Sequence, residues 1–588
     1  MKVSKIIELI GWPIKKNLRF FLFMYFLGAS CILIDPSVDK SRTFLELLLD
    51  TWLLCLFLST LPPKVSSFCK VILSAIFYIV AIVDVYCQGR IGTGITPTLM
   101  QLTLETDQSE ATEALANYIE YKYLLSPVLW ILLLAAIHII LTIKGIKWEN
   151  LQKKLESSIF LKILLVLLLA SAILSFRPKK FMAMYLFGNH DTFISLQGMK
   201  AYNIANIYYI PIYKLIYSYK ENTFGKEELT HLKENAENCR VDSCSFLSPN
   251  IILIIGESHS KHHSQLYDYQ MPVTPYQLNR YKAGDLIPFS DVVTSYYVTT
   301  NSFKNMFSLY SYGDKGDWSK YPLFPVLFKK AGYHTTFITN QFMIDMNANF
   351  SDFDAGMFFN NNTLNKAMFD ARNVKRHQFD EGLFEEYDSL KQYNQKHNMI
   401  IFHLRGLHLA YKERYPQKWN QFKASNYHRP DLKQSDRQIL AEYDNAALYN
   451  DYILNEIIKL FENEDAVIIY APDHGEECFD GCQTYGRPAR FKPIDIYQQF
   501  QIPFWIYTSK TYQSNHPEII EKIKKSKDKP FMTDHLGNLL LSLGGIQSPY
   551  NPVEKDILHE KYRCDHRMLM GKIDYEKMLP AINKRFHP

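Results

Sequence analysis

The sequence has little excess of charge of either sign. Its 588 residues include 65 lysines and arginines and 60 aspartates and glutamates, which gives a formal net charge of +5. No basic run is interleaved with aromatic residues, so we expect no nucleic-acid partner. The sequence also lacks internal repeats and low-complexity tracts, and an aromatic content of 14% excludes a disordered chain. The length predicts more than one domain.

Long apolar runs are missing from most of the chain and are concentrated before residue 177. A helix needs about 20 apolar residues to cross a bilayer, although shorter runs suffice when flanking residues reach the interface. "GASC" at 28–31 resembles a lipoprotein cleavage site, so the first run could be a signal peptide, but four more runs follow it. We predict a transmembrane domain over 1–176 with five helices, at 18–34, 47–61, 70–88, 123–143 and 159–176.

Basic residues lie in alternate loops of this domain. Short loops rich in lysine and arginine stay in the cytoplasm, and the acidic loop at 89–122 should face outward. Five crossings then leave the N-terminus inside and everything after residue 176 outside. The loop residues that set this orientation are Lys2, Lys5, Lys15, Lys16, Arg19, Lys64, Lys70, Lys144, Lys147, Lys153 and Lys154.

Cysteines are scarce, at nine in the whole chain, yet four of them form two close pairs in the outward part. Close pairs in an oxidising compartment predict disulfides, here Cys239–Cys244 and Cys478–Cys482. Metal ligation by the same pairs is the alternative. Cys564 is left without an assigned partner.

The pattern after the membrane domain changes twice. Residues 177–248 mix aromatic and charged stretches and are interpreted as interfacial and linker helices. Residues 249–588 alternate apolar strands with helical stretches, which predicts an α/β domain with a mostly parallel central sheet buried on both faces. Its candidate strands are 250–256, 333–339, 398–404, 466–472 and 501–507.

Acids and histidines follow several of these strands. Glu257 comes after the first, and Asp473 and His474 come after the fourth. An Asp-His pair after a strand is most often a turn with a surface histidine, and "GES" alone is a common helix cap. Sites in such folds form beyond the carboxyl ends of strands, where these side chains would meet. Together they are ligands of the kind that bind zinc or manganese.

A set of motifs in fixed order extends this interpretation. The chain carries "GES" at 256–258, "FSDVVTSYYVTTNSFKNMFS" at 289–308, "GLH…RYP" at 406–416, "YDNAALYNDYIL" at 443–454 and "DHGEE" at 473–477. With the apolar runs ahead of them, these motifs resemble the phosphoethanolamine transferases that modify lipopolysaccharide and related envelope glycans in the bacterial inner membrane. "DHGEE" followed by "GR" at 486–487 is closer to the branch that acts on core sugars or periplasmic glucans than to the lipid A branch.

The resemblance implies a fold and a set of site residues. The catalytic domain would be periplasmic and of the alkaline phosphatase/sulfatase type. Thr299 would be the nucleophile, although the bland interpretation is a β-branched residue in a polar loop. His408 would face the phosphate or a second metal ion. The ligands of one catalytic Zn²⁺ would be Glu257, Thr299, Asp473 and His474.

One position departs from the family pattern. Many relatives have a histidine just before the glycine that aligns with Gly486, where this chain has Thr484 and Tyr485. A second zinc ion is therefore in doubt. His262 and His263 could substitute, but a helix face is the simpler interpretation for them.

The implied reaction uses a lipid donor and an envelope acceptor. Phosphatidylethanolamine would donate phosphoethanolamine to Thr299, which bound zinc can activate, and an acceptor hydroxyl would then displace the threonine. The acceptor could be lipopolysaccharide, a glucan or a protein. Sulfatase chemistry is excluded because "TSYYVTTNSF" at 294–303 has no cysteine to modify. We expect a monomer.

Two alternative functions remain open at this point. Phosphoglycerol transferases of the lipoteichoic acid or periplasmic glucan type join similar membrane helices to this catalytic fold. An inactive envelope scaffold or sensor is the alternative from another class. The membrane carboxylates Glu46, Asp50 and Asp84 also have two interpretations, recognition of the donor's ammonium group or pairing with lysine and arginine.

Overall fold

The structure is a computed structural model that describes residues 3–91, 94–97, 100, 127–145, 158–188, 208–341, 356–487 and 491–586. The described residues divide into two compact units, one containing those up to 225 and the other those from 226 onward. This division falls inside the segment 177–248 that the sequence analysis interprets as a linker. The domain boundaries at 176 and 248 stay predictions.

The described part of each apolar run predicted to cross the membrane falls on a helix of the first unit, apart from Leu61 at the end of one run. Among the described residues, three helices are long and apolar enough to span a bilayer, with apolar parts at Lys40–Thr60, Pro63–Gly89 and Ile159–Phe187. The pair Leu9–Lys16 and Leu18–Ile34, which is bent by 85°, would make a fourth if it is one span. α5 is apolar but has only 17 residues, since the first residues of the run at 123–143 lie outside the described part. Five spans are not confirmed. The helices are α1 (Val3–Lys16), α2 (Leu18–Ile34), α3 (Lys40–Thr60), α4 (Pro63–Ile91), α5 (Pro127–Ile143), α6 (Ser158–Phe187) and α7 (Pro211–Asn238), the last continuing into the second unit.

The break between α1 and α2 has a local cause. Pro13 lies inside α1 and has no backbone N–H to give to the helix. Asn17 stands between the helices, and its side-chain amide donates to the Cys55 carbonyl at 3.0 Å and to the Ser59 hydroxyl at 2.7 Å. These bonds satisfy the side-chain N–H groups of Asn17 and tie the break to α3.

Glu46, Asp50 and Asp84 are each paired with a basic side chain. This pairing fits the second interpretation of these carboxylates, in which they pair with lysine or arginine. The pairs are Glu46 with Arg42 at 2.7 Å, Asp50 with Lys179 at 2.6 Å, and Asp84 with Lys214 at 2.9 Å.

The second unit is built on a seven-stranded sheet of order β3-β11-β8-β2-β7-β5-β6. The run from β8 to β6 is parallel, but β11 pairs antiparallel with both β8 and β3. The sheet is mixed, and the prediction of a mostly parallel sheet is wrong. The strands are β1 (Ser243–Cys244), β2 (Asn250–Gly256), β3 (Leu286–Pro288), β4 (Val292–Val293), β5 (His334–Thr339), β6 (Ala371–Arg372), β7 (Asn398–His403), β8 (Ala466–Pro472), β9 (Glu477–Cys478), β10 (Tyr485–Gly486), β11 (Trp505–Thr508), β12 (Phe531–Met532), β13 (Ile546–Gln547), β14 (Met568–Leu569) and β15 (Ile573–Asp574).

The antiparallel strand has a geometric reason. A parallel neighbour requires a crossover that returns the chain to the opposite end of the sheet. β8 ends at Pro472, and β11 begins at Trp505, which is paired with Tyr470. The chain therefore leaves the sheet after Pro472 and rejoins it at Trp505 at the same end of the strands. The predicted site lies at this end.

Both faces of the sheet are buried, as the continuous apolar strands predicted. Alternate residues of β2 point to opposite faces. Ile251, Leu253 and Ile255 belong to one apolar cluster, and Ile252 and Ile254 belong to the other. The helices of this unit are α8 (Pro275–Ala283), α9 (Thr299–Phe307), α10 (Phe324–Ala331), α11 (Gly356–Phe359), α12 (Asn362–Met368), α13 (Gly382–Leu390), α14 (Gln434–Phe461), α15 (Pro493–Phe500), α16 (Lys510–Asn515), α17 (Pro517–Ser526), α18 (Leu536–Gly544) and α19 (Tyr575–Phe586).

The predicted disulfides are not formed. All nine cysteines are described and are free thiols. The Cys239 sulfur faces the Ala236 carbonyl of its own helix at 3.8 Å, whereas the Cys244 sulfur accepts from the Phe246 amide at 3.4 Å. Close spacing in the sequence did not pair these cysteines, and the sulfurs of Cys239 and Cys244 contact backbone groups instead.

A buried histidine lies between two carboxylates in this unit. His263 Nδ1 is 2.6 Å from Asp444 on α14, and its Nε2 is 2.7 Å from Asp480. Tyr427 also donates its hydroxyl to Asp444 at 2.6 Å, and so does Tyr269 at 2.8 Å. Burial lowers the pKa of His263, but the charges of Asp480 and Asp444 outweigh this effect and raise that pKa to about 10.

The raised pKa predicts a loss of stability in alkali. An unfolded histidine has a pKa of about 6.5, so the stabilisation is complete below that pH and is lost as the pH rises towards 10. We expect the thermal unfolding midpoint of the detergent-solubilised full-length protein to fall across this window. His263→Gln should be destabilised by about 3 kcal/mol at pH 6.5 and should lose the pH dependence.

The exposed His428 provides the matched control. His428→Gln should keep the wild-type profile. An identical pH profile in wild-type and His263→Gln proteins would contradict the prediction.

Candidate metal centre

The site is assembled by two neighbouring parallel strands that end together. Gly256 at the end of β2 is paired with Pro472 at the end of β8. The next residues, Glu257 on one side and Asp473 and His474 on the other, therefore emerge side by side, and all three side chains are fully buried. The Asp473 amide donates to the Gly256 carbonyl at 3.0 Å, which extends the strand pairing to the first ligand candidate.

The three side chains place one candidate ligand atom each within 4.8 Å of one another. His474 Nε2 lies 3.2 Å from Asp473 Oδ2 and 3.4 Å from Glu257 Oε1. Thr299 is the first residue of α9, and its hydroxyl is 3.2 Å from Glu257 Oε2 and 3.3 Å from His474 Nε2. The structure thus brings together all four residues that the resemblance implied as ligands.

Backbone hydrogen bonds orient these groups. Asp473 Oδ1 accepts from the amides of Ser258 at 3.1 Å and His474 at 2.8 Å, while Oδ2 is buried and accepts no hydrogen bond from the described residues. His474 Nδ1 lies 2.8 Å from the Gly475 carbonyl, so Nδ1 carries the proton and Nε2 presents its lone pair to the cluster.

The electrostatics of the cluster favour a cation. Burial raises the pKa of Asp473 well above its ordinary value, and the Glu257 carboxylate raises it further. Burial lowers the pKa of His474 to about 3, with Arg487 acting in the same direction, so the imidazole is neutral. Two carboxylates, a neutral imidazole and a hydroxyl are a donor set that fits zinc, and the orphaned Asp473 Oδ2 is a ready ligand atom.

The family follows from a match over half of the chain. Residues 249–546 match the family model described as Sulfatase. The chain belongs to the sulfatase family.

Similarity to individual proteins supports the motif-based resemblance to phosphoethanolamine transferases. The chain is 29% identical over 273 residues to phosphoethanolamine transferase EptC of Escherichia coli K12, covering 45% of this chain and 46% of EptC. It is 28% identical over 156 residues to the Kdo(2)-lipid A phosphoethanolamine 7''-transferase of the same strain, covering 26% and 27%. The alignments thus span half or less of these relatives.

Two solved structures share the fold of the second unit. The crystal structure of the C-terminal periplasmic domain of E. coli EptC has a TM-score of 0.50 at 25% identity, covering 58% of this chain and 95% of that domain. The same domain in complex with Zn has a TM-score of 0.50 at 24% identity, covering 58% and 95%. The sulfatase-like architecture predicted from the motifs is therefore confirmed.

Three other histidines considered in the sequence, His262, His263 and His408, lie outside the group of ligand candidates in this sulfatase-family chain. His408 follows β7 in a turn, is partly buried, and lies 3.4 Å through Nδ1 from the Leu409 carbonyl. Burial lowers the pKa of His408, while the charge of Glu257 acts in the opposite direction. His408 is not among the three ligand candidates. His263 is held by Asp444 and Asp480, and His262 stacks on Tyr497, so neither joins the three ligand candidates.

The hairpin of β9 and β10 holds the departure from the family pattern. The Thr484 hydroxyl donates to Glu477 at 2.7 Å, and Tyr485 is 45% exposed. Thr484 is thus hydrogen-bonded within its own hairpin, and neither position carries the histidine imidazole that would suit a second zinc ion.

Two residues that contact the ligand candidates, Arg487 and Gln341, were not predicted from the sequence. Arg487 Nη1 lies 2.7 Å from His474 Nε2, and Gln341 Nε2 donates to Glu257 Oε2 at 3.3 Å and to the Leu404 carbonyl at 2.8 Å. Both residues belong to short elements visible in the sequence, "GR" at 486–487 and "TNQ" at 339–341. Their types carried no signal without knowing which strand ends they face.

The geometry predicts that metal binding depends on Asp473. The purified full-length protein should retain zinc, and Asp473→Asn should lower zinc affinity by about 10- to 100-fold because one anionic ligand and its charge are lost. Elemental analysis after dialysis and titration against a chromophoric chelator would measure both quantities.

Asp388→Asn is the matched control, since Asp388 is 70% exposed on α13. This variant should bind zinc like the wild type. Equal zinc content in Asp473→Asn and wild-type proteins would rule out the assigned site.

Proposed function

We propose that the chain is a zinc-dependent phosphoethanolamine transferase of the bacterial inner membrane. It would move phosphoethanolamine from phosphatidylethanolamine to an acceptor on lipopolysaccharide or another envelope glycan. The observation that carries the proposal is the Thr299 hydroxyl, 3.2 Å from Glu257 and 3.3 Å from His474 at the start of a helix. A nucleophile beside a metal-type ligand set is the arrangement that phosphoryl transfer through a covalent intermediate requires.

The comparisons support the choice of donor group and metal. The similar proteins are named as phosphoethanolamine transferases, one of them acting on Kdo(2)-lipid A. The EptC domain of the same fold is described in complex with Zn. One zinc ion held by Glu257, Thr299, Asp473 and His474 is the simplest reading of these similarities and of the buried cluster.

In the first half-reaction the Thr299 oxygen attacks the phosphorus of the donor. The bond from phosphorus to the diacylglycerol oxygen breaks, and diacylglycerol leaves with a proton. When bound, zinc would lower the pKa of the threonine hydroxyl and take up charge on the phosphoryl oxygens. We assign to His408, beside Glu257, the exchange of a proton with the leaving or attacking hydroxyl.

The start of α9 suits a phosphoryl group for a second reason. Val298 precedes the helix and offers no side-chain cap, so the first-turn amides have no side-chain acceptor there. Amides at a helix N-terminus bind phosphate oxygens well. In the second half-reaction the acceptor hydroxyl attacks the same phosphorus, the Thr299–phosphorus bond breaks, and the threonine recovers its proton.

The topology proposed from the sequence completes this assignment. The N-terminus would be cytoplasmic and the catalytic unit periplasmic, with a membrane domain over 1–176, a linker over 177–248 and a catalytic domain over 249–588. The protein would act as a monomer. Both points rest on the loop charges and the resemblance.

Thr299 provides the decisive test. Thr299→Ala should abolish transfer, and Thr299→Ser should retain part of it because the hydroxyl survives and only a methyl group is lost. Protein incubated with donor lipid and no acceptor should carry a phosphoethanolamine adduct on the peptide that contains Thr299, and mass spectrometry would locate it.

Thr300→Ala is the control on the neighbouring residue and should keep both transfer and adduct. Full activity of Thr299→Ala would defeat the covalent mechanism, and an adduct on Thr300 or Ser258 would move the nucleophile.

The donor can be tested separately. Labelled phosphatidylethanolamine should transfer its headgroup to the protein at least about tenfold faster than labelled phosphatidylglycerol, since a selective headgroup site discriminates by about 1–3 kcal/mol. The reverse preference would favour the phosphoglycerol transferase. Mass spectrometry of envelope fractions with and without the gene would identify the acceptor.

A further inference from the structure

Arg487 enters the candidate metal centre from the hairpin of β9 and β10. Gly486, the last residue of β10, has φ of +85°, a left-handed conformation that glycine adopts without strain. The turn directs the arginine inward, where its side chain is only 21% exposed. Nη1 lies 2.7 Å from His474 Nε2 and 3.8 Å from Glu257 Oε1.

This contact uses an atom that a metal ion would also need. His474 Nδ1 is committed to the Gly475 carbonyl at 2.8 Å, so the only lone pair of the ring is on Nε2. One lone pair accepts either an N–H from Arg487 or a metal ion. The guanidinium and the metal are therefore mutually exclusive at His474.

The arginine has a second anionic partner on its other edge. Arg487 Nε lies 3.6 Å from Glu476 Oε2, a buried oxygen that accepts no hydrogen bond from the described residues. The other oxygen of Glu476 accepts from the Tyr411 hydroxyl at 2.5 Å, which fixes the carboxylate. Arg487 can leave His474 by turning about Glu476 while its charge stays paired.

We propose that Arg487 is a phosphoryl-binding residue that is held on His474 until a metal ion takes the Nε2 lone pair. The released guanidinium then binds oxygens of the phosphoryl group being transferred. A planar guanidinium forms paired hydrogen bonds to phosphate oxygens, which a single ammonium cannot. The inference rests on the proposed function.

The test separates metal competition from transfer. Arg487→Met keeps the length of the side chain and removes its charge and donors. Titration of the full-length protein with zinc against a chromophoric chelator should show about tenfold tighter binding in this variant, because a charge-assisted hydrogen bond no longer competes. Transfer should fall about 100-fold through a lower kcat, as for loss of one phosphoryl-stabilising donor.

Two further variants complete the experiment. Arg487→Lys retains the charge without the fork and should recover only part of the transfer, and it carries the test if Arg487→Met does not fold. Arg563→Met, on an exposed arginine, should match the wild type in both measurements. Thermal unfolding of each zinc-loaded variant reports whether the fold is intact.

Each result has one meaning. Unchanged or weaker zinc binding in a folded Arg487→Met protein overturns the competition, and unchanged transfer overturns the phosphoryl role. A wild-type protein that binds zinc but transfers no phosphoethanolamine defeats the proposed function instead, and the zinc titration still decides whether Arg487 competes with the metal.

Discussion

Glu257 and Asp473 are two carboxylates held side by side with no exposure to solvent, and the arrangement of the site depends on how their charges are compensated. Removing an ion from water costs several kcal/mol, and two like charges at close range add to that cost. Asp473 Oδ1 accepts hydrogen bonds from two backbone amides, and Glu257 accepts one from the Ser258 hydroxyl at 2.7 Å. The guanidinium of Arg487 adds a positive charge beside Glu257. A dication on the remaining oxygens would complete the compensation of these charges.

The candidate ligands Glu257, Asp473 and His474 directly follow the ends of two paired strands. The pairing of Gly256 with Pro472 fixes the backbone of both ligand-bearing segments relative to each other within the most buried part of the sheet. Thr299, by contrast, arrives on a helix, whose first turn brings a hydroxyl and amides together. The paired strands fix the charged side chains, and the helix places the Thr299 hydroxyl beside them.

The strand ends and their acids were predictable from the sequence because they depend on local pattern. A continuous apolar run followed by Glu257 or by Asp473 and His474 predicts both the strand and the edge at which the side chain emerges, and the ordered motifs predicted Thr299. Arg487 and Gln341 were missed because their positions depend on long-range folding of segments with no periodic signal. The direction of β11 and the free thiols were missed for a similar reason: spacing along the chain does not determine which end of the sheet a segment rejoins or where a sulfur points. The charge of His263 also required the structure, since Asp444 and Asp480 are about two hundred residues away.

The segment that connects Pro472 of β8 to Trp505 of β11 affects which parts of such a protein can change in sequence during evolution. Both of its ends are anchored at one edge of the sheet by pairing with neighbouring strands, and the ligands Asp473 and His474 occupy its first two positions. The free energy of closing a loop grows only slowly with its length. Insertions, deletions and substitutions beyond the first few residues can therefore change the surroundings of the candidate metal centre while Asp473 and His474 keep their register with Glu257.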